Sequence, residues 1–130
     1  MSSNCPCSKS HFDHLNQLSK KNPDVLFVGF QSDKNEKLAK SIQYYSKFKI
    51  DFPIIDDTNL VWANKFNALK TPHVFVFDQN GKTLYQGAVS SSRNPVNAKS
   101  FYLQNALEKL KNNQKPEPSL TRALGCYIQR

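Results

Sequence analysis

Four stretches of the chain carry apolar residues at intervals of three and four, a pattern that predicts amphipathic helices. They run from Ser8 to Lys20, from Asn35 to Lys49, for a few residues after Asp57, and from about Ala98 to Asn112. Asp57 can cap the third of them. Their predicted inward-facing residues are Phe12, Leu15 and Leu18; Leu38, Ile42, Tyr45 and Phe48; Leu60, Ala63 and Phe66; and Leu103, Leu107 and Leu110.

Short apolar runs between these helices predict strands. The continuous run Val25–Phe30 is typical of a buried, parallel strand. Phe52–Ile55 is shorter, and its proline favours a sheet edge. Val74–Phe77 and Thr83–Gly87 flank an Asn-Gly turn, which predicts a hairpin. Helices that alternate with strands predict an α/β fold.

The length of 130 residues fits one domain with a substantial core. Nine Phe, five Tyr and one Trp exclude a largely disordered chain. We predict a domain over residues 1–112 and a flexible C-terminal tail over 113–130, which is rich in Lys, Pro and Ser and carries Cys126.

The net charge of +8 makes the chain basic, but its lysines are scattered over polar helix positions. No arginine-rich run or nucleic-acid motif accompanies them, so a solvated surface is expected and no nucleic-acid partner. No apolar run approaches the roughly 20 residues of a membrane span, and no signal-peptide core is present. As written, the sequence predicts a cytoplasmic protein without a membrane span.

Two cysteines, Cys5 and Cys7, stand one residue apart at the start of the first predicted helix. Unpaired N–H groups at a helix start stabilise an anion, which lowers a thiol pKa. Polar residues surround both cysteines, so core packing does not explain them. Three cysteines is an odd number, which argues against a closed disulfide framework.

His11 lies one helical turn after Cys7 and borders the apolar stripe. It can simply border the core, it can lower the thiol pKa when protonated, or it can join Cys5 and Cys7 as a ligand of copper or zinc. We rank these three interpretations of His11 in that order. The metal-binding module remains the alternative to a redox function that needs no cofactor.

Several short motifs together resemble a redoxin-type member of the thioredoxin superfamily, in the branch near peroxiredoxins and alkyl hydroperoxide reductase–type antioxidant proteins. The motifs are Asn4-Cys5-Pro6-Cys7-Ser8, Val28-Gly29-Phe30, Phe52-Pro53-Ile54-Ile55-Asp56-Asp57, Lys70-Thr71-Pro72-His73-Val74-Phe75-Val76-Phe77-Asp78, Asn80-Gly81, Tyr85-Gln86-Gly87 and Gly125-Cys126-Tyr127-Ile128.

The resemblance implies a thioredoxin-like sheet flanked by helices and a thiol-disulfide oxidoreductase or peroxiredoxin-like antioxidant. Cys5 would attack and Cys7 would resolve, or the reverse, with Cys126 as a second candidate resolver. Thr71 and Pro72 would form the cis-proline loop that binds substrate. The implied partners are a peroxide or a disulfide-bearing protein, together with a reductant.

The chain departs from the family pattern in two places. One residue separates the cysteines, where thioredoxin-like oxidoreductases usually have two. The four residues before Cys5 cannot supply the strand that normally precedes the cysteine motif. Closure of the sheet without that strand, a strand from another chain and a truncated sequence would each account for this. We favour truncation, which could also have removed an export signal and would then allow an extracytoplasmic location.

Overall fold

The computed structural model describes residues 1–130 and contains five α-helices, one 3₁₀ turn and six short strands. The helices are α1 (Pro6–Ser10), α2 (Phe12–Lys21), α3 (Leu38–Ser46), α4 (Val61–Lys65) and α5 (Tyr102–Lys111), with the 3₁₀ turn at Pro95–Asn97. The strands are β1 (Gly29–Gln31), β2 (Ile54–Asp56), β3 (Lys70–Thr71), β4 (Val74–Phe77), β5 (Thr83–Gly87) and β6 (Cys126–Tyr127). The predicted α/β class is confirmed.

The strands form three separate pairs. β1 and β2 are parallel, with Gly29 opposite Ile54, whereas β4 and β5 form the predicted antiparallel hairpin. β3 and β6 are antiparallel, with Thr71 opposite Cys126. β1 and β4 do not pair, and no strand precedes Cys5 in the structure.

Met1 partly occupies the free edge of β1. Its amino group donates to the Phe30 carbonyl at 2.5 Å, and its own carbonyl accepts from the Ser32 N–H at 2.9 Å. These two hydrogen bonds have the pattern of a single parallel β-bridge between Met1 and β1. The residues that follow Met1 turn at once into α1, so the pairing does not continue.

The main core lies between α2, α5 and one face of the strands. It contains six buried residues: Leu15, Leu18, Phe52, Val89, Leu103 and Leu107. The periodicity of the first and last predicted helices thus placed their buried stripes correctly. A smaller cluster joins Ile128, from the C-terminal segment, to Leu60, Ala63 and Ala68.

Two apolar stretches differ from their prediction. Of the run Val25–Phe30, only its last two residues are in a strand, and Leu26 is 84% exposed. In α3, Leu38 and Ile42 are exposed and only Tyr45 of the predicted stripe is fully buried. Periodicity identifies a face, but a neighbouring element must cover that face before it is buried.

The C-terminal residues contact the domain along most of their length. The Thr121 N–H donates to the Gln86 carbonyl of β5, and the Gln86 N–H donates to the Ser119 carbonyl, each at 2.9 Å. The Thr121 hydroxyl contacts the hydroxyl of Tyr85 at 2.7 Å. Further on, β6 pairs with β3 and Ile128 is buried. Where the sequence predicts a flexible tail at 113–130, the structure therefore has a packed segment.

Candidate functional site

The three cysteines, which are distant in sequence, come together in the structure. Their sulfur atoms all lie within 4.8 Å of one another, and each thiol is free. Cys5 is at the N-cap of α1, Cys7 is in the first turn of that helix, and Cys126 begins β6. The pairing of β6 with β3 is what brings Cys126 to the other two.

A glycine permits this pairing. Gly125 has φ +144°, a conformation that L side chains rarely adopt. A Cβ at this position would lie 1.9 Å from the Thr71 carbonyl oxygen, which is closer than any packing allows. The position of the Cys126 thiol therefore depends on the close approach of the Gly125 backbone to Thr71, which only glycine permits.

Cys5 is the most enclosed of the three thiols, at 2% exposure. Its S–H donates to the Thr71 carbonyl oxygen at 3.0 Å. The Thr71 hydroxyl is buried and has no hydrogen-bond partner while the Cys5 thiol is protonated. Burial alone would raise the pKa of Cys5, but hydrogen bonds from the side chains of Cys126 and Thr71 lower it to about 7, with help from the backbone amides of Cys126 and Ser8.

The pKa values of the other two thiols shift in the opposite direction, upward. Burial raises the pKa of Cys126 to about 12, and its hydrogen bond to Cys5 and the negative charge of Cys5 add to the shift. Burial and the charge of Cys5 also raise the pKa of Cys7, although Arg93 opposes this. Near neutral pH a large fraction of the molecules therefore carries a thiolate on Cys5, beside the protonated thiols of Cys7 and Cys126.

A small cleft leads to Cys5. It has a volume of about 100 Å³ and a largely polar lining: Ser2, Asn4, Ser32, Asp33, Thr71, Cys126, Tyr127, Ile128 and Gln129. Asp33 fixes one wall, because its carboxylate accepts hydrogen bonds from the Ser2 hydroxyl and the Asn4 side-chain amide. Sequence reasoning missed Asp33, since no motif marks it; only the fold brings it to Cys5.

Thr71 and Pro72, the predicted substrate-binding pair, lie beside the thiols. Thr71 contacts Cys5 directly and is opposite Cys126 in the β3–β6 pair. The peptide bond between Thr71 and Pro72 is cis.

His11 lies close to the site but does not face a sulfur atom. Its Nδ1 is 2.7 Å from the Cys7 carbonyl oxygen, and its Nε2 is 3.0 Å from the Ser90 hydroxyl. Because a carbonyl only accepts, Nδ1 carries a proton and donates. Burial lowers the pKa of His11, so the ring is mainly neutral near pH 7. The structure places Cys126, and not His11, with Cys5 and Cys7.

A sequence model of the redoxin domain matches residues 2–103. The chain belongs to the redoxin family. The family generally includes thiol oxidoreductases and peroxiredoxins, which fits the cluster of three cysteine thiols described above. The match ends before the segment that carries Cys126.

Two solved structures share the fold of this redoxin. An uncharacterized conserved protein from Geobacillus kaustophilus is 22% identical, with a TM-score of 0.86, over 100% of this chain and 74% of that protein. A hypothetical protein from Sinorhizobium meliloti 1021 is 20% identical, with a TM-score of 0.85, over 98% of this chain and 75% of that protein. The predicted thioredoxin-like fold is thereby confirmed.

No functionally curated protein matches the sequence significantly. No helix in the structure has the length and apolar character needed to cross a membrane.

Proposed function

We propose that this redoxin is a thiol-dependent oxidoreductase in which Cys5 attacks the oxidant and Cys126 resolves the product. The observation that carries the proposal is the pairing of a low-pKa thiol with a protonated thiol within 4.8 Å. The thiolate is the nucleophile in such chemistry, and a pKa of about 7 gives a large thiolate fraction at neutral pH.

The first step consumes the Cys5 thiolate. With a hydroperoxide, the thiolate takes the terminal oxygen, the O–O bond breaks, and the alkoxide or hydroxide leaves as alcohol or water after protonation. Cys5 is then a sulfenic acid. With a disulfide, the thiolate forms a mixed disulfide and one thiolate leaves.

The second step follows from the loss of charge on Cys5. The negative charge of Cys5 is part of what raises the pKa of Cys126, so oxidation of Cys5 lowers that pKa. Cys126 then attacks the Cys5 sulfur, forms the Cys5–Cys126 disulfide and expels water or the second thiol. An external dithiol reduces this disulfide and restores both thiols.

The burial of Cys5 and the small volume of its cleft favour a small oxidant at the first step. A peroxide fits a cleft of about 100 Å³, whereas a folded protein cannot bring its disulfide to a sulfur that is 2% exposed without local opening. The more exposed Cys7 and Cys126 are the sulfurs that a protein reductant can reach.

The test is to add one equivalent of hydrogen peroxide or of a small disulfide to the reduced protein, alkylate the remaining thiols and map the peptides by mass spectrometry. We expect a Cys5–Cys126 disulfide with Cys7 alkylated. Cys5→Ser should abolish oxidant consumption, and Cys126→Ser should leave oxidised Cys5 trapped or joined to Cys7. Undiminished turnover in Cys5→Ser would refute the assignment.

A further inference from the structure

The arrangement of Cys5, Cys7 and Cys126 has a second chemical use that does not depend on the redox proposal. A disulfide joins two sulfurs at about 2.05 Å and leaves the third unused. Three sulfurs within 4.8 Å of one another can instead surround one ion. We propose that the reduced protein binds a single Cu(I) ion through all three cysteine thiolates.

The spacing suits a thiolate-bound metal. Metal–sulfur bonds of about 2.3 Å put the corners of a planar three-sulfur site about 4 Å apart. The sulfurs need to approach one another by less than about 1 Å to reach this geometry. Side-chain rotation supplies such a movement, and the backbone of α1 and the β3–β6 pair can remain in place.

The donor set favours Cu(I) over other ions. Thiolates are soft ligands that select Cu(I) and zinc over harder cations. Structural zinc sites have four protein ligands. No histidine or carboxylate joins the cluster, and both nitrogens of His11 are engaged by Cys7 and Ser90. A three-sulfur site is complete for Cu(I), which accepts three-coordinate geometry, but leaves zinc one ligand short.

The surroundings allow the ion to enter. Cys5 forms the floor of the site, whereas Cys7 and Cys126 are half-buried and open to solvent. Binding of Cu(I) displaces the remaining thiol protons into solvent, as metal binding to cysteine requires. The site of one Cu(I) and three thiolates then carries two net negative charges, and the positive charge of Arg93 acts on Cys7. The net charge of +8 on the whole chain also favours a site with negative charge.

The experiment is to titrate the fully reduced, full-length protein with Cu(I) under argon in the presence of bicinchoninate as a competing chromophoric ligand. The bound form is then treated with N-ethylmaleimide and its peptides are mapped. We expect one Cu(I) per chain and protection of all three cysteines from alkylation. X-ray absorption should give sulfur neighbours only.

Removal of one ligand tests the set. Cys126→Ser should weaken Cu(I) binding about 100-fold or more, because even the groups that only orient a ligand contribute about 10–100-fold. Zinc, measured in the same way, should bind more weakly. Protection of Cys5 and Cys7 with Cys126 still reactive, zinc affinity equal to that of Cu(I), or absence of binding would each overturn the proposal. The alkylation pattern of the unaltered protein decides this even if a variant misfolds, and it is independent of oxidant turnover.

Discussion

Thr71 presents two groups to Cys5, a carbonyl oxygen that accepts from the thiol and a hydroxyl that can donate to the thiolate, and the charge on the sulfur decides which of them is used. The protonated thiol donates to the Thr71 carbonyl, whereas the thiolate can only accept and so uses the Thr71 hydroxyl. That hydroxyl is otherwise unpartnered in a buried position, which costs free energy as long as Cys5 is protonated. Part of that cost is recovered when Cys5 ionises.

Replacement of this hydroxyl by a methyl group should therefore separate reactivity from stability. In Thr71→Val we expect the pKa of Cys5 to rise above its value of about 7 and its alkylation at pH 7 to slow. The free energy of unfolding should stay the same or increase, because an unsatisfied hydroxyl is removed. Iodoacetamide kinetics against pH and urea denaturation measure the two effects. The exposed Thr83→Val is the matched control, and an unchanged Cys5 pKa in Thr71→Val would contradict this role of the hydroxyl.

The three thiols should also differ in their pH dependence within the unaltered protein. The alkylation rate of Cys5 should rise through a midpoint near pH 7, whereas Cys126, with its pKa raised to about 12, should react slowly throughout the neutral range. Peptide mapping after short exposure at each pH gives both rates. Equal profiles for Cys5 and Cys126 would show that the thiolate is not confined to Cys5.

At the level of elements, the β3–β6 pair is what turns two N-terminal thiols into a group of three. Its geometry depends on Gly125, where any Cβ would overlap the Thr71 carbonyl. The substitution Gly125→Ala should displace β6, reduce the yield of the Cys5–Cys126 disulfide at least tenfold and raise the pKa of Cys5, because Cys126 no longer donates to it. Peptide mapping after one equivalent of oxidant measures the disulfide yield.

The control for this change is Gly81→Ala. Gly81 also has a positive φ, but a Cβ there would meet nothing within 4 Å. The Gly81→Ala substitution should lower the free energy of unfolding by about 1 kcal/mol through backbone strain and leave the yield of the Cys5–Cys126 disulfide unchanged. An equal loss of the disulfide in both variants would mean that general destabilisation, and not the approach to Thr71, is responsible.

The C-terminal segment should contribute to stability as well as chemistry. Deletion of residues 113–130 removes the buried Ile128 and the Thr121 contacts with β5. Loss of one fully buried side chain of this size typically costs about 2–5 kcal/mol, so the deletion should lower the free energy of unfolding by at least about 2 kcal/mol. Chemical denaturation measures this, with Cys126→Ser as the control that removes the thiol alone. A flexible tail would instead leave stability unchanged.

The elements that sequence predicted well are those whose pattern is local. Helices α2 and α5 repeat apolar residues at helical spacing, and the Asn-Gly turn identifies the β4–β5 hairpin. The pairing of Lys70–Thr71 with Cys126–Tyr127 has no such signal, because two residues show no periodicity and their partners are over 50 positions apart. Cys5 and Cys7 could be found from their motif, but the position of Cys126 depends on that long-range contact.

For the molecule as a whole, the three histidines are held in surroundings that disfavour their charged form. Burial lowers the pKa of His11, His14 and His73, in the last case to about 4. In the unfolded chain each takes up a proton near pH 6.5. The unfolded state therefore binds more protons than the folded state below pH 6.5, and acid favours unfolding.

We accordingly expect the free energy of unfolding to decrease as the pH falls from about 6.5 to about 4, with His73 contributing about 2 kcal/mol after allowance for its partly exposed ring. Burial raises the pKa of Glu36, so this carboxyl has the opposite effect: above pH 4.5 its contribution to the free energy of unfolding increases as the pH falls. His73→Asn isolates the histidine term, because the amide oxygen can still accept from the Leu69 N–H while Glu36 is unchanged. Urea denaturation at intervals from pH 7 to pH 4 should give a flatter profile for this variant. Parallel profiles for the two proteins would show that the acid sensitivity arises at other groups.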